Sequence, residues 1–299
     1  EKSSTDIDAL NVFPVPDGDT GTNMLLTMRS SVEEAYRAPD SSAAAVAHAI
    51  AHGALMGARG NSGVILSQIW RGLAHGLKDK ESFTAADLAD ALHEASITAY
   101  KGITNPVEGT ILTVMKDVAA AAKTQIKNGV NSLVSLMEAA VDAAGESVAN
   151  TPKLLPILRK SGVVDAGGQG LYVILDGALR YLRGEVEQMQ FRKPQMIASS
   201  LPQPARVSPS AAIDEVPYGY CTEFMLQGDK LAGEKIRTKL KKQGESLIVV
   251  GDKNTVRVHI HTLDPGSIVQ YATSLGTMHQ ISIRNMDEQY QDFLEMQKE

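Results

Sequence analysis

Between residues 20 and 182 the apolar residues recur at helical spacing and almost never alternate, which restricts this part of the chain to packed helices. Met24, Leu25, Met28, Val32 and Ala35 fall on one side of a 3.6-residue period. Val64, Leu66, Ile69, Trp70 and Leu73 do the same over 62–77. Further helices are predicted over 43–56, 84–100, 110–126, 132–148 and 168–182, each bounded by Gly, Asn, Pro or Asp or opening on a Ser/Thr cap. Aromatic residues make up only 5% of the chain while alanine is abundant, so these helices can pack closely. The period is lost over 185–215, where Pro194, Pro202, Pro204 and Pro209 mark a linker. Strand-like alternation then begins at 218–226 and returns at 246–250 and 255–261, with helices expected over 231–242 and 265–274. The chain is therefore read as multidomain: an all-α domain over 1–184, a Pro-rich linker over 185–215 and a small α+β domain over 216–299.

Composition narrows the class. Hydrophobic residues at 43% and charged residues at 21% fit a globular protein of 299 residues. A formal charge of −6 argues against nucleic acid as a partner. No apolar run reaches the ~20 residues of a membrane span. The single cysteine, Cys221, cannot form an internal disulfide, which suits a cytoplasmic location. The sequence begins with Glu1 rather than methionine and is read as a fragment, so the lack of a visible signal peptide concerns only the residues given.

The motif Asn11-Val-Phe-Pro-Val-Pro-Asp-Gly-Asp-Thr-Gly-Thr-Asn-Met24 carries most of the chemistry. Asp17 and Asp19 flank a glycine directly before a helix pattern. Mg²⁺ takes oxygen ligands and is commonly held by one or two carboxylates together with substrate phosphates. The start of the following helix would offer unpaired N–H groups and a positive dipole end to those phosphates. The competing reading is an ordinary turn ending in an aspartate N-cap.

Three more loops share this character. Gly57-Ala-Arg-Gly-Asn-Ser-Gly63 joins two helices, with Asn61 or Ser62 as a cap. Pro106-Val-Glu-Gly-Thr110 and Ser161-Gly-Val-Val-Asp-Ala-Gly-Gly-Gln-Gly170 each open a helix. Glycine lets a backbone approach a ligand, and Ser or Asn side chains can donate to phosphate or ribose oxygens. Each loop alone is equally readable as a C-cap glycine followed by an N-cap. Together they can gather at one end of a bundle if two helices separate successive loops.

The quoted motifs carry a resemblance. Pro16-Asp-Gly-Asp-Thr-Gly-Thr-Asn-Met24, Gly60-Asn-Ser-Gly63, Glu108-Gly-Thr110 and Ser161-Gly-Val-Val-Asp-Ala-Gly-Gly168 resemble the nucleotide-binding domain of dihydroxyacetone kinases. Within that superfamily, Asn11-Val-Phe-Pro-Val-Pro-Asp17 resembles the nucleotide-binding subunit of bacterial fatty acid kinases. The similarity covers about 6–184, and the second domain resembles that subunit's middle domain. The resemblance implies an eight-helix antiparallel barrel carrying Mg²⁺–ATP or ADP at one end. It also implies a separate fatty-acid-binding protein that presents the acyl substrate; a homodimer is an expected assembly. The family's metal acids map onto Asp17 and Asp19, which are also the catalytic pair; the family pattern places a further acid shortly upstream, where this chain has Asn11, whose carbonyl oxygen is taken as a third Mg²⁺ ligand, or, further back and too distant, Asp8. Nucleotide contacts are expected at Thr20, Thr22, Asn23, Asn61, Ser62, Gly63, Thr110, Asp165 and Gly168. The family's helix before the Asp loop and its C-terminal domain are largely missing from this sequence. Alternative readings are a dihydroxyacetone-type sugar kinase, with His259 or His261 binding substrate covalently, and a non-catalytic nucleotide-binding regulatory module.

A second cluster lies in the α+β domain. His259 and His261 are two apart on a predicted strand and so share a face. Cys221 lies on another strand, and one cysteine with two histidines is a ligand set suited to Zn²⁺. The competing reading is two edge-strand histidines and a buried thiol. His48, His52, His75 and His93 are read as structural, and Lys239, Lys241 and Lys242 as a solvated helix face.

Overall fold

The computed structural model of the protein describes residues 1–39, 42–201 and 219–296. These form two compact units. The first comprises Glu1–Phe13, Asp19–Tyr100 and Val107–Val207, and the second Pro14–Gly18, Lys101–Pro106 and Ser208–Glu299.

The first unit is helix-rich. Among its described residues it holds α1 (Ser4–Asp8), α2 (Thr20–Ala35), α3 (Ala43–Gly57), α4 (Gly60–Gly76), α5 (Ala85–Gly102), α6 (Ile111–Lys127), α7 (Leu133–Leu154), α8 (Pro156–Ser161), α9 (Ala166–Leu182) and α10 (Val186–Phe191). The expected Ser/Thr caps form: Thr110 Oγ1 accepts from Leu112 N–H at the start of α6, and Ser132 Oγ from Ser135 N–H at the start of α7. Small residues let the helix backbones meet. A Cβ added to Gly72 of α4 would lie 2.4 Å from Ala95 Cα of α5, and one added to Gly76 would lie 2.5 Å from Ala91 Cα. Gly53 of α3 meets Ser30 and Ser31 of α2 in the same way. The alanine-rich composition is thus spent on close helix crossings, where a larger side chain would overpack.

The stretch read as a linker is partly ordered against this unit. After α10, Gln169 of α9 receives Ile197 N–H on Oε1 at 2.9 Å and donates to Gln195 O at 3.4 Å. Ser200 N–H donates to Ala149 O at 2.9 Å. Pro202, Pro204 and Pro209, the remainder of the expected linker and Tyr218 at the expected start of the first strand lie outside the described residues.

The second unit is an antiparallel sheet of β1 (Tyr220–Gln227), β2 (Glu245–Gly251), β3 (Thr255–Thr262) and β4 (Thr277–Asn285), in the order β2-β3-β1-β4. Helices α11 (Gly233–Leu240), α12 (Pro265–Thr273) and α13 (Met286–Met296) complete it. Strand β4 exposes Ile281 and Ile283 and is not expected from the sequence, where alternation is confined to the short stretch 281–284. Phe224, Leu226, Leu247, Val249, Val256, Val258 and Ile260 form a core with Ile236 and Leu240 of α11 and Ile268 and Ala272 of α12. The opposite face carries the polar residues described below. Two segments distant in sequence also belong to this unit: Val15 is buried with Cys221 and Met286, and Ile103 forms an antiparallel bridge with Ile248.

Candidate functional site

Four helix starts converge in the first unit. Gly60, which opens α4, lies against Asn23 of α2: a Cβ there would sit 2.3 Å from Asn23 Nδ2. Gly170 of α9 lies against Met24 of α2, and Gly167 of α9 against Ile111 of α6. Ser62 Oγ reaches Thr20 O at 3.5 Å. The loops before α2, α4, α6 and α9 are therefore brought together, with two helices between successive starts and the short α8 added between α6 and α9.

The donors at these starts are used differently. The start of α2 is already capped, contrary to the expectation that its amides stand unpaired. Asp8 of α1 accepts from Thr22 N–H at 3.0 Å and Thr22 Oγ1 at 2.7 Å, with a further bond from Gly21 N–H. Burial raises the Asp8 pKa from its ordinary value; the Thr22 and Gly21 bonds oppose this, and the charge of Asp19 adds to it. Asp19 is the N-cap residue of α2 but makes no side-chain cap bond, and Asp17 and Asp19 are both partly exposed around Gly18, whose φ is +63°. Asn11 is buried.

The start of α4 differs. Its N-cap is Arg59, not Asn61 or Ser62, and Arg59 supplies no side-chain cap bond. Asn61 and Ser62 instead lie in the first turn. Asn23 is buried, yet its Nδ2 has no hydrogen-bond partner among the described residues. A buried amide beside a helix start whose N-cap side chain makes no cap bond fits an anionic ligand, which could accept from both. Gly63 is buried within α4, and a Cβ there would sit 2.4 Å from Thr27 Oγ1, so this glycine serves the packing of α4 on α2.

Asp165 has a structural task. Its carboxylate caps α9 through Gly168 N–H at 2.7 Å and also accepts from Ile111 N–H at the start of α6. Burial raises its pKa to about 6, opposed by those two N–H groups. For a carboxyl with a raised folded pKa, the stabilising contribution is full below the unfolded value near 3.8 and is lost as pH rises through about 6. That span corresponds to roughly 3 kcal/mol. Asp165→Asn keeps an acceptor oxygen and removes the buried charge. Its stability relative to wild type should therefore increase between pH 4 and pH 7 by roughly that amount. Denaturant unfolding across this range is the measurement; parallel stability profiles for the two proteins would refute the assignment.

In the second unit, register builds a compact cluster. Cys221 pairs with His261 and Glu223 with His259 across β1 and β3, so all four side chains share one face. The ligand atoms of Cys221, His259 and His261 lie within 4.8 Å of one another. Cys221 Sγ is 3.9 Å from His259 Nδ1, and His259 Nε2 is 3.1 Å from His261 Nε2. Glu223 Oε1 lies 2.8 Å from His259 Nδ1. Glu223 was not singled out in the sequence, although its place two residues after Cys221 puts it on the same strand face. Burial pushes the Glu223 pKa up, but the His259 bond and charge, helped by Arg284 and Arg257, bring it down to about 2. Burial lowers the His259 pKa, but Cys221 and Glu223 more than reverse this and raise it. Burial and then the charge of His259 lower that of His261. The softness of thiolate and imidazole fits this set to Zn²⁺.

Comparison with known proteins matches the chain to two families. Residues 14–180 match the DAK2 domain family, and residues 217–293 match the FakA-like middle domain family of fatty acid kinases. The chain belongs to the DAK2-domain family and carries the FakA-like middle domain after it. It is 40% identical over 296 residues to the protein YloV of Bacillus subtilis (strain 168), covering 97% of this chain and 53% of that protein. It is 37% identical over 298 residues to an uncharacterized protein of Staphylococcus epidermidis (strain ATCC 12228), covering 98% and 53%. Against an uncharacterized protein of Staphylococcus haemolyticus it is 39% identical over 297 residues, again covering 98% and 53%. The chain thus spans about half the length of these relatives. No helix among the described residues is long and apolar enough to cross a membrane.

Proposed function

We propose that this chain is the nucleotide-binding part of an ATP-dependent kinase. It transfers the γ-phosphoryl group to the carboxylate of a fatty acid presented by a separate fatty-acid-binding protein, giving an acyl phosphate and ADP. The supporting observation is the buried Asn23 Nδ2, without a hydrogen-bond partner among the described residues, against Gly60 at the start of α4, in the same unit where α9 meets α2 and α6. Asn23 and the first turn of α4, with Asn61 and Ser62, offer N–H and hydroxyl donors to phosphate oxygens. Thr20, Thr22, Thr110 and Gly63 are assigned to the same nucleotide site, while Asp165 and Gly168 link the starts of α6 and α9. The barrel arrangement of these helices and a cytoplasmic location are parts of the same reading.

Asp17, Asp19 and Asn11 are assigned to Mg²⁺, which supplies charge neutralisation on the phosphates. Fixed donors of this kind do not have to reorganise as charge moves during phosphoryl transfer, so the chain needs positioning more than a nucleophile. Cys221, His259 and His261 are assigned to Zn²⁺ with a fourth position left for water or substrate. A sugar kinase would instead need His259 or His261 to react with a carbonyl. Both are engaged in the cluster, and His259 is buried, which disfavours that reading.

ATP consumption is the test, measured with a fatty-acid-loaded binding protein, with dihydroxyacetone and with no acceptor. Turnover that requires the loaded carrier is expected. Turnover with dihydroxyacetone would transfer the assignment to a sugar kinase, and tight ADP binding without turnover to a regulatory module.

A further inference from the structure

The proposed zinc set names three ligands and leaves open what orients them. His259 can offer a metal only one ring nitrogen, because a neutral imidazole carries its proton on the other. Nδ1 of His259 is 2.8 Å from Glu223 Oε1, and Nε2 is 3.1 Å from His261 Nε2. Two imidazole nitrogens on one tetrahedral zinc, each bonded at ~2.05 Å, stand about 3.3 Å apart. The Nε2 pair therefore already has nearly the spacing that a shared metal requires. Glu223 and His259 are directly opposed in the β1–β3 register and both buried, so their contact is fixed by backbone pairing.

We infer that Glu223 is the positioning residue of this centre: it accepts the Nδ1–H of His259 and thereby presents Nε2, beside His261 Nε2, to the metal. The inference rests on the zinc reading of the cluster. A carboxylate bonded to the distal nitrogen of a histidine ligand fixes its tautomer and ring orientation and raises its basicity, and losing such a partner typically weakens metal affinity about 10- to 100-fold.

The test uses the whole chain. Zinc affinity is measured by chelator competition for wild type, Glu223→Gln and Glu223→Leu, with melting temperature followed in parallel. Glu223→Leu should bind zinc about 10- to 100-fold more weakly. Glu223→Gln keeps an oxygen acceptor for Nδ1–H and should recover most of the loss. Nitrogen NMR of histidine-labelled, zinc-loaded wild type is independent of how the variants fold. It should show His259 protonated at Nδ1 and metal-bound at Nε2. Wild-type affinity in a folded Glu223→Leu variant, or metal on Nδ1 of His259, would overturn the role of Glu223 while leaving the zinc site standing. No zinc binding by wild type would overturn both.

Discussion

Asp19→Ala should give a chain that folds normally and transfers almost no phosphate. The proposed Mg²⁺ site draws its negative charge from Asp17 and Asp19, and charge stabilisation by a bound metal is worth several kcal/mol in the transition state. A loss on the order of a thousandfold in rate is therefore expected. Stability should hardly change. Asp19 makes no side-chain cap bond at the start of α2, because Asp8 fills that role. Its charge also adds to the raising of the Asp8 pKa, so truncation relieves repulsion between the two carboxylates. The change in stability should stay within the range of an ordinary surface substitution, about ±0.5 kcal/mol. Asp17→Asn should behave alike. Undiminished turnover by Asp19→Ala at saturating carrier protein would end the Mg²⁺ assignment.

The second large effect concerns metal content. Wild type should purify with about one zinc per chain, and the double variant Cys221→Ser, His259→Ala should purify with none. The three ligand atoms already lie within 4.8 Å of one another, so binding needs little rearrangement. Zinc takes thiolate and neutral imidazole, and occupancy should fall as pH drops below ~6. Zinc removal should loosen the sheet at β1 and β3, which supply all three ligands, and amide exchange there should quicken. Metal analysis decides the matter: zinc at full stoichiometry in the double variant would place the ion elsewhere.

The helices were legible because their signals are local. Met24 to Ala35 and Val64 to Leu73 carry the period in their own sequence, and α2, α4 and α6 follow within a few residues. The second unit was legible down to the shared face of His259 and His261, because strand parity is also local. What escaped depends on partners remote in sequence. Asp8 looked too distant to reach the Asp loop, yet α1 folds back and its carboxylate caps Thr22. Asn61 and Ser62 read as caps but fall inside α4, because the chain turns at Gly60, with φ of +59°, one step earlier. Gly63 read as a ligand-facing glycine, but its missing side chain makes room for Thr27. Val15 and Ile103, both within the stretch read as helical domain, pack with the second unit. No periodicity announces such a pairing.

Asp165 touches Gly168 at the start of α9 and Ile111 at the start of α6. Loops that ordinarily fray independently therefore share one fastener. Opening either should require releasing the other, so the amides of Ile111 and Gly168 should exchange with solvent as a single cooperative unit. A phosphate settling at one of these helix starts would then slow exchange at both.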